Sequence, residues 1–186
     1  FLSGLVCELL PQAGEAWGLR ALMHYCESRV AARHDGAGRI VPLTEQDIAR
    51  WNRTALEFAE QCLRRAASSG PIGPFQLEAA IQSAHCQRYF DGVTPWAAVA
   101  TLYSELVAIA PSTGACVAHA VACAQAGDVT RAAQLLDALP RADMVSYQPY
   151  WVAQAHIASL RGLRDDSNAH LNRALGLTTS PPVRSF

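Results

Sequence analysis

The stretch CVAHAVACAQAGDVTRAAQLLDAL, residues 116–139, decides the fold, because it returns 35 residues later as WVAQAHIASLRGLRDDSNAHLNRA, residues 151–174. Gly127, Ala132, Leu136 and Leu139 align with Gly162, Ser167, Leu171 and Ala174. Ahead of the glycines, Cys116, Ala120 and Cys123 align with Trp151, Ala155 and Ala158. Each copy reads as helix, glycine turn, helix, with small residues where the two helices must touch. Two antiparallel helices of about 14 residues cannot bury both apolar faces alone, so each pair stacks on its neighbour.

A period of this size with these features is the mark of a tetratricopeptide-type repeat, and such repeats are binding scaffolds. Working outward, residues 74–90 and 96–110 read as a further, divergent hairpin, with Thr94 as a cap, Pro95 at the first helical position and Pro111 as a stop. Residues 1–10 read as the end of a helix stopped by Pro11, and 14–33 as a second helix. HDGAGRIVPL, residues 34–43, interrupts with turn signals and a brief extended arm at 39–41. A long helix is expected over 45–68, where Ile48, Trp51, Ala55, Phe58, Ala59, Cys62 and Leu63 recur at helical spacing behind a Thr44/Asp47 capping pair. The tail from Thr178 reads as frayed or as the start of a capping helix. No useful period-2 alternation occurs. The expectation is all-α: about nine helices in a right-handed superhelix of hairpins. Residues 1–186 form one helical domain, with N-terminal helices over 1–73, a loop inserted at 34–44, and repeats over 74–186.

Composition narrows the function. The 186 residues allow a substantial core, 51% are hydrophobic, and only 17% are charged. A net charge of −1 without a basic stripe argues against direct nucleic-acid binding. All 15 basic residues are arginine, as codon bias in a GC-rich genome would produce. No apolar run reaches membrane-span length and no signal peptide stands at the start, so a cytoplasmic protein without membrane contact is expected. The chain enters in mid-helix at Phe1 and reads as a piece of a longer protein. The six cysteines form no CxxC pair and read as small core residues.

The search for chemistry yields little. Cys116, His119 and Cys123 share a helical face, but three ligands on one straight helix close poorly around a tetrahedral ion, so they read as core. No nucleophile elbow, phosphate loop or working carboxylate pair is found; Asp165 and Asp166 suit a helix N-terminus. Neither a catalytic site, nor a metal, nor a cofactor is expected. TEQDIARW, residues 44–51, reads as a cap with an Asp47–Arg50 ion pair and a packed Trp51, or else as a contact surface. In YQPYW, residues 147–151, Trp151 reads as packing between repeats, while Tyr147 and Tyr150 stay open as groove residues.

Taken in order, LLPQAGEAWGLRALM, AARHDGAGRIVPLTEQDIARW, GPFQLEAAIQSAH, PWAAVATLYSELVAIAPS and YQPYWVAQAHIASLRG resemble the C-terminal extension of a group of bacterial extracytoplasmic-function sigma factors. The strings that carry the resemblance are Glu45, Gln46, Asp47, Arg50 and Trp51; Gly73, Pro74, Phe75, Gln76 and Leu77, with His85 after them; and Tyr147, Pro149 and Tyr150. It covers nearly the whole chain, with departures at Ala118, His119, Ser167 and Leu171. It implies a non-catalytic regulatory domain of a transcription initiation factor. Its partners would be the sigma domains of the same chain or core RNA polymerase, with DNA touched only by sigma domains absent here. It also implies a contact surface including Gln46, Asp47, Arg50, Gln76, His85, Tyr147 and Tyr150, held in place by Trp51. The alternatives are a free-standing repeat adaptor, and a small-molecule sensor with a pocket between the helix at Trp51 and the helix at His85.

Overall fold

The computed structural model describes residues 2–178; the tail read as frayed or capping lies outside them, apart from Thr178. The described chain is all-α, with one isolated antiparallel bridge between His34 and Ile40. The helices are α1 (Leu2–Leu9), α2 (Gly14–Ser28), α3 (Arg53–Ala67), α4 (Pro74–Cys86), α5 (Arg88–Asp91), α6 (Trp96–Ile109), α7 (Thr113–Gln125), α8 (Val129–Asp137), α9 (Arg141–Met144), α10 (Gln148–Leu160) and α11 (Arg164–Gly176). Short 3-10 turns occupy Val30–Ala32 and Ile48–Arg50. The chain divides into two compact units, Phe1–Pro95 and Trp96–Phe186.

In unit 2, α7 packs on α6 and α8, and α10 on α11, α7 and α8. The 35-residue offset holds down to single hydrogen bonds. Asp128 N donates to Cys123 O at 2.9 Å, as Leu163 N does to Ala158 O at 2.9 Å. Gly127 N donates to Ala124 O at 3.0 Å, as Gly162 N does to Ser159 O at 3.0 Å. Both glycines sit at positive φ, +95° and +76°, where a Cβ would strain the turn. Past the turn, Ala132 and its counterpart Ser167 are both buried, and Ser167 satisfies its hydroxyl by donating to Ala155 O at 2.9 Å. The match fails one turn later: Leu136 is fully buried in the core, whereas Leu171 is exposed.

Unit 1 is a packing of α2 against both α3 and α4, with α1 laid on α2. Gly18 lets α2 and α4 approach, since a Cβ there would meet Gln76 N at 2.8 Å. The core cluster holds Ala21, Tyr25, Ala32, Trp51, Leu56, Ala59, Cys62, Ala79 and Cys86.

Several expectations are corrected. The helix expected over 45–68 begins only at Arg53, because the Asn52 side chain accepts from Ala55 N at 3.1 Å and caps it. Residues 42–52 instead form a turn, the Ile48–Arg50 3-10 turn and an extended residue at Trp51 (ψ 138°). Asp47, expected to close a capping pair with Thr44, caps that 3-10 turn by accepting from Ala49 N at 3.0 Å. The helix expected over 14–33 ends at Ser28, where Ser28 Oγ donates to Tyr25 O at 2.7 Å. Of the two helices expected as a hairpin over 74–110, α4 packs on α2 in unit 1 and α6 on α7 in unit 2. The boundary between the two compact units falls after Pro95. The brief arm is present as the His34–Ile40 bridge, closed by Val41 N donating to Arg33 O at 2.9 Å.

Candidate functional site

The eight residues singled out from sequence fall in both units. Gln46, Asp47, Arg50, Trp51, Gln76 and His85 belong to unit 1, and Tyr147 and Tyr150 to unit 2. Gln46, Trp51, Gln76 and Tyr150 are buried, His85 and Tyr147 are half-buried, and only Asp47 and Arg50 are exposed. Arg50 Nη1 donates to His34 O at 3.3 Å while Asp47 serves Ala49 N, so each binds elsewhere than in the expected Asp47–Arg50 pair.

The Gly-Pro-Phe-Gln-Leu string is a docking device between helices. Glu15 of α2 sets its carboxylate at the N-terminus of α4, where Oε2 accepts from Phe75 N at 2.9 Å and Oε1 from Gln76 N at 3.0 Å. A carboxylate satisfies orphan amides there and meets the positive end of the helix. The Gln76 side chain turns back, its Nε2 donating to Pro71 O at 3.2 Å.

Around Trp51 the sequence gives way to a buried polar system. Tyr89 stacks on the indole at 6.5 Å, and Arg29 Cζ stands 5.9 Å from its ring centre. Arg29 donates from Nε to Tyr25 O at 3.3 Å and from Nη2 to Gln82 Oε1. Its charge also reaches His85, whose imidazole is pushed down to about 4, first by burial and second by Arg29. The guanidinium thus lies against the Trp51 ring and acts on His85 through its charge. Beside it, Tyr25 OH donates to Glu60 Oε1 at 2.5 Å and Ser83 Oγ donates to the same oxygen. Burial, then the bond to Glu60, pushes the Tyr25 phenol up. Burial pushes the Cys86 thiol up to about 11, which keeps it protonated and unreactive at neutral pH. Arg88 of α5 donates from Nη1 to Leu43 O at 2.8 Å and from Nη2 to Gln46 O at 3.1 Å, clamping the loop.

Arginines cover other aromatic faces too. Trp17 lies 5.8 Å from Arg20 Cζ and 5.6 Å from Arg65 Cζ, and Arg20 also stands 4.9 Å from the Phe58 ring centre. In unit 2, Arg173 stands 5.4 Å from the Trp151 ring centre. Trp151 Nε1 donates to Met144 O at 2.9 Å, and Gln154 Nε2 donates to Tyr150 OH at 2.8 Å. His119 and Cys123 are buried in the unit 2 core, and His119 is held below its ordinary value by burial and then Arg131. Among the described residues no group of three His, Cys, Asp or Glu is placed to hold a metal ion, and no helix is long and apolar enough to cross a membrane.

Sequence reasoning missed Arg29, Arg88, Glu15 and Glu60. Each acts across a gap of many residues, and none leaves a local spacing signal.

Comparison with known proteins adds reach but no chemistry. Residues 1–67 match a family of unknown function, DUF6596. That stretch ends with α3 and includes the loop clamped by Arg88. An uncharacterized protein of Rhizobium meliloti (strain 1021) is 28% identical over 185 residues, covering 100% of this chain and 44% of the relative. The chain therefore spans less than half the length of that relative. No solved structure matches.

Proposed function

We propose that this chain is a non-catalytic, helical protein-interaction module that regulates a bacterial extracytoplasmic-function sigma factor from within the same polypeptide. The observation that carries the reading is the ordered set of motifs over nearly the whole chain, joined to the repeated hairpin of unit 2. The hairpin supports a tetratricopeptide-type unit, and we extend it to a right-handed stack with a binding groove. The length of the Rhizobium relative is in keeping with a module inside a longer protein. The module would bind the sigma domains of its own chain or core RNA polymerase in the cytoplasm, leaving promoter contact to the sigma domains. Asp47 and Arg50, exposed with Glu45 on a loop anchored by Trp51, are the residues of the proposed contact surface that reach solvent.

The test is reporter transcription by the full-length protein beside a version lacking residues 1–186, at matched abundance. Loss of transcription would make the module a required contact, and a rise would make it a built-in inhibitor. Unchanged transcription would overturn the regulatory reading in favour of an adaptor with no transcriptional role.

A further inference from the structure

The loop over residues 42–52 buries two polar atoms and leaves both without a partner: Gln46 Oε1, an acceptor, and Trp51 Nε1, a donor. Gln46 is 6% exposed and Trp51 5%. Among the described residues only Arg20 Nε shares that condition. A buried donor or acceptor with no partner has given up its bond to water for nothing, so solvation of both atoms opposes the closed loop. Arg29 adds to this. It is 7% exposed, lies against the Trp51 ring, and has no carboxylate within 4.0 Å among the described residues.

What holds the loop down is a short set of contacts, among them Arg50 Nη1 on His34 O at 3.3 Å and the packing of Leu43 and Ile48 against the core. Arg88 grips Leu43 O and Gln46 O. Asn52 N donates to Ser28 O at 2.8 Å. The Trp51 ring fills the core against Tyr89. The loop's other backbone bonds are local, as from Gln46 N to Pro42 O at 3.0 Å and from Trp51 N to Ile48 O at 3.1 Å. It meets an α-helix only at Asn52, whose side chain accepts from Ala55 N at 3.1 Å and caps α3, so the loop hinges there and lifting it need not unwind the body of that helix.

We propose that residues 42–52 form a releasable strap, which lifts from α2 and α5 as a unit while the helices stay folded. Lifting hydrates Gln46 Oε1, Trp51 Nε1 and Arg29. Arg88 is the clamp and Trp51 the plug. The inference rests on burial and bonding alone, so it stands or falls apart from the regulatory role.

Hydrogen exchange on the 186-residue chain, read by mass spectrometry across a low urea series, tests it. The amides of Gln46, Arg50, Trp51 and Asn52 are expected to exchange at least about tenfold faster than those of α3, with little dependence on urea. Arg88→Met should raise the strap rates by about tenfold or more and leave α2, and α3 beyond its first turn, unchanged. Strap amides that exchange at the rate and urea dependence of α3 would overturn the strap. Should Arg88→Met fail to fold, the wild-type comparison decides by itself.

Discussion

In unit 2 the bond from Asp128 N to Cys123 O reappears as the bond from Leu163 N to Ala158 O, and a buried small residue follows each turn. Unit 1 is tied instead by single side chains reaching over long stretches of chain: Glu15 to the start of α4, Tyr25 and Ser83 to Glu60, Arg29 to Gln82, Arg88 to the strap. Unit 2 thus repeats one local solution, while each tie in unit 1 is particular. Damage should follow the same division: graded and alike at matched turn positions in unit 2, abrupt and individual in unit 1.

The largest expected effect is at Gly18. A Cβ there would enter the α4 backbone at Gln76, so Gly18→Val should cost about 3 kcal/mol of unfolding free energy in urea titration. Acid comes next. The His85 imidazole titrates at about 4 when folded, below its ordinary 6.5, so the unfolded chain takes up this proton first. The contribution is complete above about pH 6.5 and falls away toward pH 4, by at most about 1.4 kcal/mol per pH unit. His85→Gln should flatten that acid slope in melts between pH 7 and 4.5, and an unchanged slope would assign it elsewhere. Glu15→Ala should cost about 1–2 kcal/mol by orphaning Phe75 N and Gln76 N, and Glu15→Gln should recover part of it.

Gly127→Ala and Gly162→Ala sharpen the contrast, since the same turn should give the same cost, about 1 kcal/mol each. Unequal values would mean that the repeat is one of sequence more than of energetics. The smallest effect on stability is expected at the exposed pair. Asp47→Ala with Arg50→Ala should change unfolding by about 1 kcal/mol or less, yet alter reporter transcription if the pair meets a partner. If stability and transcription both stayed unchanged, these residues would drop out of the contact surface.

The same division explains what could be read in advance. The hairpins of unit 2 were legible because glycine at a turn and alanine at a contact are local demands, and the chain states them twice. The strap was misread because Ile48, Trp51 and Ala55 fall at helical intervals while the backbone between them is not helical. Asn52, followed three residues later by the amide it caps, was the available sign that the helix starts at Arg53. Of the candidate site, the motifs located the right segments but not their orientation. Glu15 holds the backbone amide of Gln76 and Tyr89 stacks on Trp51, and those partners lie 61 and 38 positions away in the sequence. Burial of Arg29 without a carboxylate had no sign in the sequence at all.

The arginines laid over Trp17 and Trp51 have a spectroscopic consequence. A guanidinium stays charged across the whole pH range in which a protein is handled. These indoles therefore sit beside a fixed charge while His85 takes up its proton. With Trp96 and Trp151 of unit 2 replaced by Phe, a shift of the remaining emission in acid would report departure of these rings from their arginines, and so the loosening of unit 1.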